Sequence, residues 1–301
     1  MPGLGDEIYR EKSPNLLIPA QFFVEKTYLD SYREGSISAV GSQLSAVVTK
    51  ETLLNIGLVL YALLGWLVGA VINHAADILP TRQTVLRRPV CPACGAARPI
   101  LAWSGLLAVL TGQTHCPVCG QRHPTWLRAV VVEVIAAVIF GLVWARYGLS
   151  FHLPIISIYT AVLFLVTVTD LEHRLIFNLV MLPAILLALV AAFVTPGMAW
   201  PIALVGGGVA FVLSYLAALV SRGGLGSGDV TLSAFLGLIL GFPRIFLSLG
   251  FGIFFGGLVA FLLLLTRRVT LKTYIPYGPF LTITGWLMLV WGDEIWQYYF
   301  G

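Results

Sequence analysis

Apolar residues along this chain fall into long blocks rather than an alternating pattern, and short polar stretches separate the blocks. Eight blocks are long enough, or nearly so, to cross a bilayer: residues 53–72, 126–145, 153–169, 179–195, 201–220, 230–242, 245–266 and 278–291. A spanning helix needs about 20 mostly apolar residues, fewer where the bilayer thins. The sixth block is short, and its helix is expected to reach back into the Gly-rich stretch before it. The eighth ends in Trp291, Trp296, Tyr298 and Tyr299, an aromatic cluster suited to a headgroup interface. Residues 100–110 are apolar but too few to span. The expectation is an all-α polytopic membrane protein with about eight transmembrane helices.

Residues 1–52 are polar and mixed in charge and are read as an N-terminal extension. The first long apolar run comes only after them, so no signal peptide is expected. Within the extension, the stretch from Leu16 to Val24 has the composition of an amphipathic anchor. The remaining boundaries follow: a first membrane helix at 53–78, a polar segment at 79–125 carrying all the cysteines, and a membrane domain at 126–301.

Composition sharpens this picture. Of 301 residues, 58% are hydrophobic and 11% charged, against roughly 45–50% and 25% in soluble domains. The mean hydropathy is +0.90, which excludes a soluble globule. Disorder, collagen and a disulfide-stapled module are excluded because Gly, Pro and Cys do not dominate. No long basic run is interleaved with aromatics, so no nucleic-acid partner is expected. The net charge of +4 matters less than its distribution. Loops of one parity carry eleven cations (Arg82, Arg87, Arg88, Arg98, Arg122, Arg128, Arg174, Arg222, Arg267, Arg268 and Lys272), whereas the opposite loops, leaving out the N-terminal extension, carry only Arg146 and Arg244. By the positive-inside rule the cysteine segment is cytoplasmic and both termini lie outside.

The four cysteines, Cys91, Cys94, Cys116 and Cys119, form CPAC and CPVC with 21 residues between the pairs. Two such knuckles can close a tetrahedral site around Zn²⁺, and four ligands leave no open position, so the metal is expected to be structural. The alternative is two disulfides, disfavoured in a cytoplasmic segment. His115 and His123 flank the second pair as bystanders or supporting groups.

Few acids remain in the membrane part, and an ionisable group there is a functional candidate by default. Asp170 ends the third block, and Asp229 follows Gly226 and Gly228 at the entry to the sixth. The topology puts both on the cytoplasmic side. Two carboxylates sharing one proton can serve as a general base and a polarising acid in peptide hydrolysis. Gly226 and Gly228, without side chains, would let an extended peptide approach the backbone. Blander readings are that Asp229 caps a helix and that Asp170 is one charge in the mixed cluster ending at Arg174.

These features resemble the prepilin peptidases, membrane aspartic proteases of type IV pilus and type II secretion systems. The resemblance rests on Gly69-Ala-Val-Ile-Asn73 ending in Leu79-Pro80, the two CxxC pairs, and Glu133 at the start of the second span. It continues with Asp170…Ile176-Phe177-Asn178, Gly226-Ser-Gly228-Asp229, and Ile275-Pro-Tyr-Gly-Pro-Phe280, in order over residues 60–290. Departures are Phe177 for Pro, Thr231 for Lys, Ala70 for Ser and Ile78 for Arg, and none touches the aspartate pair. The resemblance implies catalysis by Asp170 and Asp229 on prepilins and pseudopilins, whose short basic leader is cut after a glycine at the cytoplasmic face of the inner membrane. It also implies N-methylation of the new terminus with S-adenosylmethionine, an activity tied to the cysteine segment; no residues for the methyl donor emerge from the sequence. Competing readings are a protease-only member, a presenilin-type protease, which the residues around Asp170 and the late motif disfavour, and a proton-coupled transporter relaying through the two acids.

Overall fold

The computed structural model describes residues 37–81, 89–91, 93–195, 199–221, 225–267 and 276–300, with side chains from Thr52 onward except at Ile100. The stretch from Leu16 to Val24, and Arg82, Arg87, Arg88, Arg222, Arg268 and Lys272 among the loop cations, lie outside the described residues. Nine helices follow one another among those residues: α1 (Ile37–Ile78), α2 (Gly105–Leu110), α3 (Trp126–Tyr147), α4 (His152–His173), α5 (Asn178–Val194), α6 (Trp200–Val220), α7 (Ser227–Leu240), α8 (Arg244–Leu265) and α9 (Gly278–Phe300). Short 3₁₀ turns at Leu79–Thr81 and Ile100–Ala102 bracket the approach to α2. No strand occurs among the described residues, where two isolated bridges are the only extended pairing. The chain divides into residues 1–55 and 56–301, and the packing below belongs to the second unit.

Five helical stretches are long and apolar enough to cross a membrane: Thr52–Thr81, α3, α4, α6 and α8. Helices α5 and α7 are apolar but shorter, and α9 bends at Trp291, whose backbone leaves helical geometry. The helix α1 starts at Ile37, well before its apolar block, because Ser, Ala and Gln are adequate helix formers that hydropathy does not register.

Ten of the fourteen residues of α7 are buried. A helix apolar all round belongs inside a bundle, and α7 lies at the centre of this one. Phe235 and Leu236 pack there with Tyr159 and Leu163 of α4, Met181 of α5, and Leu281 and Met288 of α9. Tyr159 meets Phe235 edge-on at 5.7 Å between ring centroids. At the crossing with α6 the backbones of Gly206 and Gly237 are in direct contact, the small-residue packing expected where lipid provides no hydrophobic drive between helices. The large side chains of α6 and α8 that point outward, Leu213 and Phe254 among them, are exposed.

The two ends of the bundle differ in chemistry. One end is tied by Arg146 to Glu294 and Arg244 to Asp293. At the other, Arg128 of α3 pairs with Asp77 of α1 at 2.8 Å and with Glu172 of α4. The end of α4 and the starts of α7 and α9 meet at this second end.

Candidate functional site

Asp170 sits in the last turn of α4, 3% exposed. The helix stops four residues later because Arg174 takes a left-handed conformation (φ 54°) and returns its amide to the Asp170 carbonyl at 2.9 Å. The Asp170 Oδ2 accepts the amide of Gly278, at the start of α9, at 3.1 Å. Asp229 is the third residue of α7 and 4% exposed. Its Oδ2 accepts the Gly226 amide at 3.1 Å, and its carbonyl accepts the Ser233 hydroxyl at 2.8 Å. The N-cap is Gly226, and the Asp229 carboxylate caps that amide from within the first turn, where a carboxylate also meets the positive end of the helix dipole.

The two carboxylates lie at the same end of the bundle, where one side chain, Ile176, approaches the glycines beside both of them. A Cβ at Gly278 would fall 2.6 Å from Asp170 Oδ2, and one at Gly228 would fall 2.6 Å from the Ile176 Cβ. Ile176 thus wedges between the glycine beside Asp229 and the glycine beside Asp170. Gly228 faces its own chain at Ile176, while Gly226 holds the Asp229 carboxylate by its amide. Just before α9, burial and then the charge of Asp229 push the Tyr277 phenol up to about 12, so it stays protonated and able to donate. Two buried carboxylates at one end of a bundle, each anchored by one backbone amide, are the groups that a shared proton requires.

The four cysteines come together at the same end of the bundle. Their Sγ atoms all lie within 4.8 Å of one another, with Cys91–Cys119 at 3.7 Å and Cys94–Cys116 at 3.6 Å. A disulfide would require about 2.05 Å, whereas four thiolates bonded at about 2.3 Å to one tetrahedral ion stand about 3.8 Å apart. The donor set therefore fits a closed metal site. Both knuckles have one form. Cys91 donates its amide to Ala96 and receives that of Gly95, both at 2.8 Å. Cys116 does the same with Gln121 and Gly120 at 2.9 Å. Gly95 and Gly120 take φ values of 72° and 70°, which glycine adopts without a steric penalty. Amides of Cys119 and Val118 beside the Cys116 thiol draw its pKa down to about 6. Although the Ala96 amide pulls Cys94 down, burial and the other three thiols push it up to about 12. Four thiolates at this spacing need a cation among them. His115 and His123 bond to Thr114 and Thr125 instead of joining the cluster.

The residue that sequence reasoning left without a role is Glu133. It is fully buried in α3, and five donors converge on it. The Ser104 hydroxyl (2.5 Å) and the amides of Gly105 (2.7 Å) and Leu106 (3.0 Å) come from the start of α2. Trp66 Nε1 (3.1 Å) and Asn73 Nδ2 (3.5 Å) come from α1. This carboxylate caps α2 from a neighbouring helix and fastens the cysteine segment to the bundle. The Gly69…Asn73 motif serves the same joint, since a Cβ at Gly69 would lie 2.8 Å from the Glu133 Cα. Glu133→Ala is expected to strand several buried donors, at about 1–3 kcal/mol each. The thermal midpoint in detergent should fall and residues 89–125 should become protease-sensitive. An unchanged midpoint and digestion pattern would refute the joint.

Residues 157–261 match the Type IV leader peptidase family. Among curated proteins, the chain is similar to three prepilin leader peptidase/N-methyltransferases. The one from Pseudomonas putida is 32% identical over 68% of this chain and 72% of its own. That from Pseudomonas aeruginosa is 29% identical over 73% and 77%, and that from Bacillus subtilis 25% over 78% and 94%. No solved structure matches the chain.

Proposed function

The chain belongs to the prepilin leader peptidase/N-methyltransferase family, and from that premise we propose that Asp170 and Asp229 are the catalytic pair that removes prepilin leaders. It is a membrane protease that processes prepilins, and its family membership sets the transporter reading aside. The observation that carries the assignment is the burial of both carboxylates at one end of the bundle, each held by a backbone amide and with Ile176 between their neighbouring glycines.

In this reading one carboxylate takes a proton from water, and the resulting hydroxide-like oxygen attacks the carbonyl carbon of the leader's terminal glycine. The other carboxyl, protonated, donates to the carbonyl oxygen. Collapse breaks the C–N bond, and the carboxyl that took the proton from water returns one to the departing amine. Tyr277 stands by as a further donor, and the open backbone at Gly226 is where the extended substrate runs.

The four cysteines would hold Zn²⁺, soft thiolates in a tetrahedral set being its preferred donors. Held there, it would keep the cysteine knuckles folded and perform no chemistry. S-adenosylmethionine, when bound, would supply a methyl group to the new amino terminus. Eight membrane passages, counting α5, α7 and α9, place both termini outside and the aspartates and cysteines on the cytoplasmic side of the inner membrane. Eleven cations on the loops of that side against two support this. Residues 1–52, 53–78, 79–125 and 126–301 are then the extension, first helix, zinc segment and peptidase domain.

The test is to incubate the purified protein with a prepilin, with and without S-adenosylmethionine, and weigh the products. Loss of the leader after glycine is expected in both, with about 14 Da added only with the methyl donor. Cleavage without added mass marks a protease-only member, and an intact prepilin in both tubes refutes the reading.

A further inference from the structure

Residues 100–110 are too few to span a membrane, yet they pack well along two helices that are long enough to cross one. Helices α1 and α3 run antiparallel in a single register. A Cβ at Gly57 would meet the Trp144 ring, one at Gly65 the Ala136 carbonyl and one at Gly69 the Glu133 Cα. Asn73 continues the series by donating to the Ala129 carbonyl at 3.0 Å. Ion-paired arginines mark the two ends of α3: Arg128 holds Asp77 and Glu172, and Arg146 holds Glu294. At 1.5 Å per residue these arginines stand about 27 Å apart, close to the thickness of a bilayer's hydrocarbon core, about 30 Å.

The start of α2 reaches inside that interval. A Cβ at Gly105 would fall 2.5 Å from the Ala129 Cβ. The Ser104 hydroxyl and the amides of Gly105 and Leu106 bond Glu133, which lies beyond Arg128 and about 7 Å deeper along α3. From α1, Trp66 donates to the Ser104 hydroxyl at 3.2 Å. A helix start leaves its first amides open, and here those of Gly105, Leu106 and Leu107 are all answered within the protein, the last by the Ser104 hydroxyl at 3.2 Å. Lipid demands such complete pairing, whereas at an aqueous surface water would serve. The side chains that leave the protein along 101–110 are all apolar: Leu101, Trp103, Val109 and Leu110 are each at least 41% exposed. No Asp, Glu, Lys or Arg occurs between Arg98 and Arg122.

We infer that residues 101–110 form a re-entrant element seated in the leaflet at this end of the bundle, with Leu101, Trp103, Val109 and Leu110 against lipid chains. An apolar stretch of this length suits that role. Ser104, at the depth of Glu133, sits about halfway through one leaflet's share of the hydrocarbon. The Glu133 carboxylate is then the acceptor that makes an open helix start tolerable there. A soluble partner would reach the patch only if α1 and α3 ended short of Glu133, and both continue past it. Past α2 the chain returns to the second knuckle and to Arg122, whose guanidinium covers the ring of Trp126 at the first residue of α3. The cysteine segment is thereby anchored in the bilayer by its own middle, whatever the aspartates do.

Fluorescence quenching of the full chain in liposomes provides the test, the difference between the wild type and Trp103→Phe isolating the Trp103 signal. Phospholipids brominated on the acyl chain are expected to remove most of that difference, and aqueous iodide to leave it unchanged. Quenching by iodide would put the tip in water, and quenching by neither reagent would put protein over it; either result overturns the inference. Should Trp103→Phe fail to fold, a photo-reactive benzophenone side chain at Leu101 decides. It is expected to form lipid adducts, whereas the same group at Gln121, beside the Arg122–Trp126 stack, should form none. Adducts to a second copy of the chain, no lipid adduct at Leu101, or equal lipid adducts at both positions would overturn the inference as well.

Discussion

Asp170→Asn and Asp229→Asn are each expected to slow prepilin cleavage by about 10³-fold or more while the protein stays folded. General acid and general base contributions are each about 10²–10⁴-fold, and in a proton-sharing pair neither carboxylate can fill both roles. Asparagine is nearly isosteric, and its carbonyl oxygen can still accept the Gly278 amide in one variant and the Gly226 amide in the other. The anchoring bonds that position α9 and the start of α7 therefore survive the substitution. Because the pair acts as a unit, the double variant should be no slower than either single one. Cleavage rates in detergent, read beside thermal midpoints, check this. A near-wild-type rate in one variant removes that residue from the reaction.

Replacing Cys91 and Cys94 together with serine is expected to reduce bound zinc from about one equivalent to a background level. The segment's own apolar core is slight: among the described residues between 89 and 125, the buried positions are Cys91, Ala102, Ser104, Gly105 and Ala108. Metal binding contributes about 10–16 kcal/mol in small zinc-folded peptides, far more than this core can supply. Without the ion, residues 89–125 should become accessible to proteases. Methylation should be lost, and cleavage should fall by only a few-fold, because the aspartates are held by α4, α7 and α9 rather than by the knuckles. Elemental analysis of the purified wild type gives the direct check, and an absence of stoichiometric zinc would refute the site.

Carboxylates and cysteines were conspicuous in the sequence because both are rare in this chain. Four cysteines in two equal pairs fix a ligand set by spacing alone. An aspartate at the edge of an apolar run is costly enough to stand out. The partners of those residues were hidden for a different reason. The Gly278 amide reaches Asp170 from 108 residues away, and a backbone amide leaves no trace in residue type. Glu133 was visible as a buried acid, but its donors come from Trp66, Asn73 and Ser104, on two elements whose approach only the tertiary fold determines. Hydropathy marks the apolar part of α1, and the span begins at Thr52; it carries no signal for the earlier residues, which are helical without being apolar. It found the short α7 but could not say that other helices surround it.

Glu133 also constrains how this architecture can change over generations. Its five donors come from the cysteine segment and from α1, so a chain that discarded residues 89–125 in one step would keep an acid with most of its partners gone, deep among apolar helices. Such a deletion is tolerable only after position 133 has turned apolar, and that change in turn weakens the segment while it is still present. The buried acid and the segment are therefore expected to be kept or lost together.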